Sequence, residues 1–275
     1  MRPIQIVCDS TAAFTTEEIQ RMGLEVVPLS FQFNGESIEE GLPNTYPAFY
    51  EKLTASKAFP TTSQPSVSRF QDVFEQALSL GRDVVAVLLS GGLSGTCSSA
   101  QVAAEHTDPS RVTVIDSLSA VAGLKNLVTA AWMIADTGGT AADIKAMVEE
   151  RAGRSGIVFT VGDLLYLKRG GRLNNSQYFV GKLLNILPLL TLREGKIYPQ
   201  AKVKGIKAML CALQQAAPDH TLGITLLHIN NLDAVNTLRC LLLERFPGLT
   251  IGVEPISPVI GCHLGPGALG YCFHW

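Results

Sequence analysis

Short apolar runs recur along the chain, each followed by a polar or glycine-rich turn and then by apolar residues returning every three or four positions. Residues 4–7, 84–89, 112–115 and 157–161 have the length and continuity of buried strands, and 26–29 and 31–33 read as extended before an Asn34-Gly35 turn. Between them fall helical patterns. Thr15 and Glu18 form a capping box for a helix that stops near Gly23, and Pro47 opens a helix over 46–53. Ser66 caps a helix whose Val67, Phe70, Val73, Phe74, Ala77 and Leu78 share one face until Gly81. Further helices are predicted over 97–105, about 119–135 and 141–152, while 61–66, bounded by Pro60 and Pro65, reads as a polar loop. Strands separated by helices favour a largely parallel sheet. Past residue 161 the pattern predicts a helix over 181–186, extended segments at 189–192 and 196–198 around an Arg193-Glu194-Gly195 turn, a helix over 204–216, a strand over 222–229, a helix over 232–245 and a strand over 249–253. The fold class is α/β with two lobes: residues 1–155 form an N-terminal lobe with a mainly parallel sheet, and 156–275 form a smaller α/β C-terminal lobe.

With 275 residues, 47% of them hydrophobic and 17% charged, the chain can bury one large core or two sharing a cleft. Twenty-two Lys and Arg against 24 Asp and Glu give a net charge of -2, which supplies no general field for nucleic acid. The 6 cysteines form no C-x-x-C and mostly occupy apolar runs, which points to a reducing cytoplasm. No signal peptide or membrane-length apolar stretch is evident, so a soluble protein is expected.

Candidate chemistry starts at Ser90-Gly91-Gly92-Leu93-Ser94-Gly95-Thr96. A strand emptying through glycines into a helix start aims backbone N–H groups at one spot, an anion-holding arrangement, although a plain hydroxyl-capped turn reads equally well. In a parallel sheet this corner lies beside the Asp9-Ser10 and Asp116-Ser117 strand ends, where small ligands bind. A serine acyl hydrolase is the competing enzyme reading, with Ser94 as nucleophile, His263 as base and Asp116 or Asp9 as orienter. Thr96, where the elbow motif requires glycine, counts against it. Gly265-Pro266-Gly267-Ala268-Leu269-Gly270 spells a dinucleotide fingerprint, but too few residues follow it for a crossover unit. Cys262, His263, Cys272 and His274 lack the paired spacing of a zinc site, so no metal is expected. Lys168-Arg169-Gly170-Gly171-Arg172 reads either as a phosphate or partner contact or as a solvated basic loop.

Asp9-Ser10-Thr11, Thr62-Ser63-Gln64-Pro65-Ser66, Leu93-Ser94-Gly95-Thr96, Lys168-Arg169-Gly170-Gly171-Arg172 and Gly261-x-His263-x-Gly265-Pro266-Gly267, in this order along the whole chain, resemble the DegV family. The resemblance implies a two-lobed α/β protein that holds one long-chain fatty acid, such as palmitate, stearate or oleate, between its lobes. It further implies a non-catalytic, FakB-type subunit that needs no cofactor. Such a subunit presents the carboxylate to a separate fatty acid kinase for acyl-phosphate formation and releases the product to phospholipid synthesis, with transient contact with a membrane surface. Thr62, Ser94 and His263 match the family's carboxylate-binding positions; Ser63, Gly95, Thr96 and Gly265 support them, and Arg169 and Arg172 match the kinase or nucleotide contact. A carboxylate is acceptor-only, so hydroxyls, a helix start and an imidazole N–H satisfy it without burying a full opposite charge. Affinity would come from the tail, at roughly 0.8 kcal/mol per buried methylene before ordering costs. Phe31, Leu124, Leu164, Leu183, Ile186 and Leu190 are the candidate tunnel residues. The chain departs from the family at Gly91, where serine is common, at Cys97 (an aromatic), at Thr61 (a basic residue) and at Leu187 (lysine). These changes flank the carboxylate site without removing its donors.

Overall fold

A computed structural model of the chain describes residues 3–173 and 186–275. In chain order the first half contains β1 (Ile4–Asp9), α1 (Thr16–Met22), β2 (Glu25–Val27), β3 (Ser30–Phe33), β4 (Glu36–Glu39), α2 (Tyr46–Ala55), β5 (Thr61–Ser63), α3 (Val67–Ser79), β6 (Asp83–Leu88), α4 (Thr96–Thr107), β7 (Val112–Asp116), α5 (Val121–Asp136) and α6 (Ala141–Ala152). The second half contains β8 (Ser155–Thr160), α7 (Leu165–Gly170), β9 (Ile186–Arg193), β10 (Lys196–Lys204), α8 (Ile206–Ala216), β11 (Gly223–His228), α9 (Leu232–Arg245), β12 (Ile251–Pro255), α10 (Pro258–Leu264) and β13 (Leu269–His274).

The first sheet is wholly parallel, in the order β2-β1-β6-β7. The second is mixed, in the order β10-β9-β8-β13-β11-β12, and a small antiparallel sheet, β4-β3-β5, lies beside them. Alternation along the strands sorts the side chains into three layers of core. Val7, Val84, Ala86 and Leu88 pack with α3 and α4 on the outer face of the first sheet. Val158, Leu226, Leu269 and Tyr271 pack with α8 and α9 on the outer face of the second. The inner faces meet in one central core, where Ile6, Cys8, Val85 and Val87 join Ile157, Phe159, Leu192 and Leu227, together with α5 and α10.

Several elements differ from the sequence expectation. Residues 61–63 are not loop: Phe31 pairs with Thr62 and Ser30 with Ser63, making β5 a strand too short to show a period. Helix α5 begins at Val121 rather than near residue 119: Leu118 in the preceding turn and Val121 at the helix start both take positive φ. The basic segment contains a short helix, α7, closed by Gly171 in the left-handed region. Tail residues 269–274 form β13, an interior strand antiparallel to both β8 and β11. The sequence-predicted helix over 181–186 lies outside the described residues except for Ile186, which opens β9.

Asp9 joins the strand ends that carry the site. Its Oδ2 accepts the Leu89 N–H (2.6 Å), and its Oδ1 accepts the Thr11 N–H (3.0 Å) and hydroxyl (2.5 Å). Burial raises its pKa, and these three donors oppose that shift. Asp9→Ala leaves buried donors unpaired and is expected to lower the unfolding free energy by about 3 kcal/mol in urea titrations; a loss under about 1 kcal/mol would contradict the clamp role.

Candidate functional site

A cavity of about 360 Å³ opens within the central core, a size in the usual range for a small-molecule site. Its floor is two neighbouring rows across the second sheet, joined along β8. Ile197 is opposite Leu192 and Leu192 opposite Ile157, while Phe159 is opposite Gly270 and Gly270 opposite Leu227. Leu29, Leu89, Leu93 and Val121 face it from the first half, and Ile256, Val259, Ile260 and Leu264 close the side along α10. None of Phe31, Leu124, Leu164, Ile186 and Leu190 lines it: Phe31 stacks edge-on against Phe49 (4.8 Å between centroids), and Leu124 and Leu190 are fully buried core. Leu183 lies outside the described residues. The true floor residues were missed because the rows are set by register between strands distant in sequence.

Polar side chains gather at one end: Thr62, Ser63, Gln64, Ser94, Arg172 and His263. Thr62 Oγ1 lies 2.7 Å from His263 Nε2. Burial, with the Arg172 guanidinium adding to it, lowers the His263 pKa to about 4, so the ring is neutral at pH 7. Its Nδ1 is buried without a hydrogen-bond partner among the described residues. The ring lies against the end of α7, where a β-carbon on Gly170 would overlap Nδ1. Gly170→Ala is therefore expected to displace the imidazole and break the Thr62 contact, read as a changed His263 ring resonance.

Ser94 Oγ is 2.8 Å from Thr96 Oγ1 and accepts the Thr96 N–H at the start of α4. Gln64 lies over Gly95, where any β-carbon would overlap its amide, and donates from Nε2 to Ser99 Oγ (2.9 Å), tying β5 to α4. Gly265 caps α10 directly after the turn that carries His263. Arg172 donates from Nε to the Leu93 carbonyl (3.1 Å) and from Nη1 to the Gly170 carbonyl, which fixes its guanidinium at the polar end of the cavity. A full positive charge thus stands beside the hydroxyl and imidazole groups, a placement the sequence does not predict. Arg169 is elsewhere: its guanidinium stacks on Phe59, 3.9 Å from the ring centroid.

The hydrolase constellation is not assembled. Asp116 accepts the Gly91 (3.1 Å) and Leu118 (2.9 Å) amides rather than orienting His263, and Ser94 faces Thr96 rather than the imidazole. At the Gly91 departure a β-carbon would meet Asp116 Oδ2 at 2.8 Å, a contact that a shift of the aspartate side chain relieves. The Cys97 departure places a buried thiol 3.4 Å from the Leu89 carbonyl, with burial pushing its pKa up. Thr61 is exposed, and Leu187 packs against the outer core of the second sheet. The fingerprint-like tail runs from a helix through a loop into β13, the reverse of a dinucleotide turn. Among the described residues no cluster of three or more His, Cys, Asp or Glu side chains is placed to hold a metal, and no helix is long and apolar enough to cross a membrane.

Residues 3–274 match the family model described as "Uncharacterised protein, DegV family". The chain belongs to the DegV family. A DegV domain-containing protein of Halalkalibacterium halodurans is 34% identical over 280 residues, covering 100% of this chain and 99% of that protein. Among solved structures, the chain is similar to a DegV family protein from Thermus thermophilus described for fatty acid binding (32% identity, TM-score 0.87, 99% of each chain). It is also similar to DegV of Bacillus subtilis, described as a fatty acid binding protein (29% identity, TM-score 0.84, 100% of each chain). These DegV folds are mixed α/β, as here.

Proposed function

We propose that the chain binds one long-chain fatty acid, with the tail in the cavity and the carboxylate at its polar end. The observation that carries this reading is an apolar cavity terminating in Thr62, Ser94, His263 and Arg172; the two fatty-acid-binding relatives support it. A His263 Nε2–H that donates to Thr62 Oγ leaves the threonine proton for a ligand oxygen, and Ser94 supplies a second hydroxyl. Arg172 compensates the charge. Ser63, Gly95, Thr96 and Gly265 hold these groups in place. The two lobes are 1–155, with the parallel and the small antiparallel sheet, and 156–275, with the mixed sheet, and the ligand lies between them.

The protein acts as a cytoplasmic carrier rather than an enzyme: among the described residues no base is poised on Ser94, and the chemistry belongs to a separate fatty acid kinase. Arg169 and Arg172 face that kinase or its nucleotide, and the acyl phosphate passes to phospholipid synthesis after transient membrane contact. Calorimetric titration of delipidated protein with palmitate, stearate or oleate is expected to show one site per chain. Leu227→Asp, which places a charge on the floor, should abolish it; no binding of any of the three by the wild type would reject the reading. Arg169→Ala should leave this titration unchanged and slow kinase-dependent phosphorylation of the bound acid, whereas equal phosphorylation would remove Arg169 from the kinase contact.

A further inference from the structure

Helix α10 supplies four cavity residues, Val259, Ile260, His263 and Leu264, yet it spans only seven positions. Something outside it must set its place. At its start the Tyr50 hydroxyl donates to the Ile256 and Ser257 carbonyls (2.7 and 3.0 Å). The other tie is Glu40, just past β4 and only 5% exposed. Its Oε1 accepts the Val259 N–H (2.6 Å) and its Oε2 accepts the Ser10 hydroxyl (2.6 Å). Ser10 Oγ in turn accepts the Leu29 N–H (3.0 Å), and the Leu29 carbonyl accepts the Glu40 N–H (2.8 Å). One carboxyl therefore connects Leu29 on one wall of the cavity with α10 on another.

Two buried oxygens beside this carboxyl, Ser257 Oγ and Tyr46 Oη, have no hydrogen-bond partner among the described residues. Among the described residues no cation is paired with it. The groups that face it are Asp9 on β1, Tyr46 and Tyr50 on α2 and Cys262 on α10; Glu254 bears on Tyr46 from β12 and is itself held by Lys125. A neutral acid would place its O–H on the Ser257 oxygen while its two oxygens keep the Val259 and Ser10 donors.

We propose that Glu40 is a positioning residue of the carboxylate subsite, a carboxyl that fixes α10, and with it His263, by bridging Ser10 and Val259 and, when protonated, Ser257. The sense of its titration agrees. Burial raises the Glu40 pKa to about 7, with Asp9 adding to the rise and the Ser10 and Val259 hydrogen bonds opposing it. A carboxyl raised in the folded state contributes stability below the unfolded value near 4.5 and loses it as pH climbs through 7. The proposal rests on the fatty-acid reading for one of its readouts and not for the other two.

The test compares wild type, Glu40→Gln and Glu40→Asp. Glu40→Gln keeps the length and carries an amide donor for Ser257. Glu40→Asp is one methylene too short to span its partners and is small enough to leave the fold intact. In the unliganded proteins, His263 ring resonances are expected to stay in place for Glu40→Gln and to move for Glu40→Asp. Affinity for a fluorescent long-chain fatty acid should change less than about threefold for Glu40→Gln and fall at least about tenfold for Glu40→Asp. Urea unfolding from pH 6 to 8.5 should show the wild type losing stability relative to Glu40→Gln. Unmoved His263 resonances in Glu40→Asp would overturn the positioning role, and a pH-independent difference between wild type and Glu40→Gln would overturn the neutral acid. If the wild type bound no fatty acid, the functional reading would fail while the resonances and the pH profile still decided the role of Glu40.

Discussion

Replacing Ser94 and His263 together by alanine is expected to weaken fatty acid binding by at least about a hundredfold. Ser94 donates directly to the ionised carboxylate and His263 orients the Thr62 donor; at roughly 1.5–3 kcal/mol for each donor, losing both removes about 3–6 kcal/mol, or two to four decades in Kd. His263 acts partly through Thr62, 2.7 Å from its Nε2, so its removal also frees the hydroxyl to rotate away from the ligand. The alkyl tail still gains from burial in the double variant, so residual binding is expected at high lipid concentration. Competition of the wild type and the double variant for one labelled acid measures the difference. A double variant that binds as tightly as wild type would remove these residues from the carboxylate site.

The second large effect is a pH dependence that follows from the neutral, buried imidazole. His263 has an ordinary value of 6.5 and a folded value of about 4. Between these limits the unfolded chain binds a proton that the folded chain does not. Stability from this group is therefore fully present above pH 6.5 and is lost as pH falls towards 4, by about 2 kcal/mol at pH 5 and about 3 kcal/mol at pH 4. His263→Gln removes the titrating group, so its unfolding free energy should fall less steeply over this window. Equal slopes for the two proteins in urea titrations at pH 7, 6, 5 and 4.5 would mean that His263 is not held neutral. Glu40 bears with the opposite sign over a window from 4.5 to about 7 that overlaps this one. In the wild type the two dependences therefore largely offset between about pH 4.5 and 6.5, and the comparison with His263→Gln isolates the histidine.

What the sequence revealed and what it concealed divide along physical lines. The parallel sheet was legible because β1, β6 and β7 are continuous apolar runs separated by capped helices. Thr62, Ser94 and His263 were singled out together by their match to the motifs of the family the chain resembles, and the structure brings all three to the wall of one cavity. The cavity floor was not legible. Ile157, Leu192 and Leu227 become neighbours only through the register of a mixed sheet in which β13, the last strand, inserts between β8 and β11. Proline and glycine flanking residues 269–274 masked that strand. Glu40 left no local signal either: it follows Glu36 and Glu39 in an acidic stretch, and only the fold turns it inward onto α10, 219 residues away in sequence. Arg172 was visible as a basic residue, but its place in the cavity is set by the carbonyls of Leu93 and Gly170.

The central claim is that the cavity holds a fatty acid, and the most direct test is mass spectrometry of small molecules released on denaturing freshly purified protein. The account predicts close to one long-chain fatty acid per chain, depleted in the Ser94→Ala, His263→Ala double variant. Protein that carries no fatty acid as purified and takes up none after incubation with palmitate, stearate and oleate would contradict it.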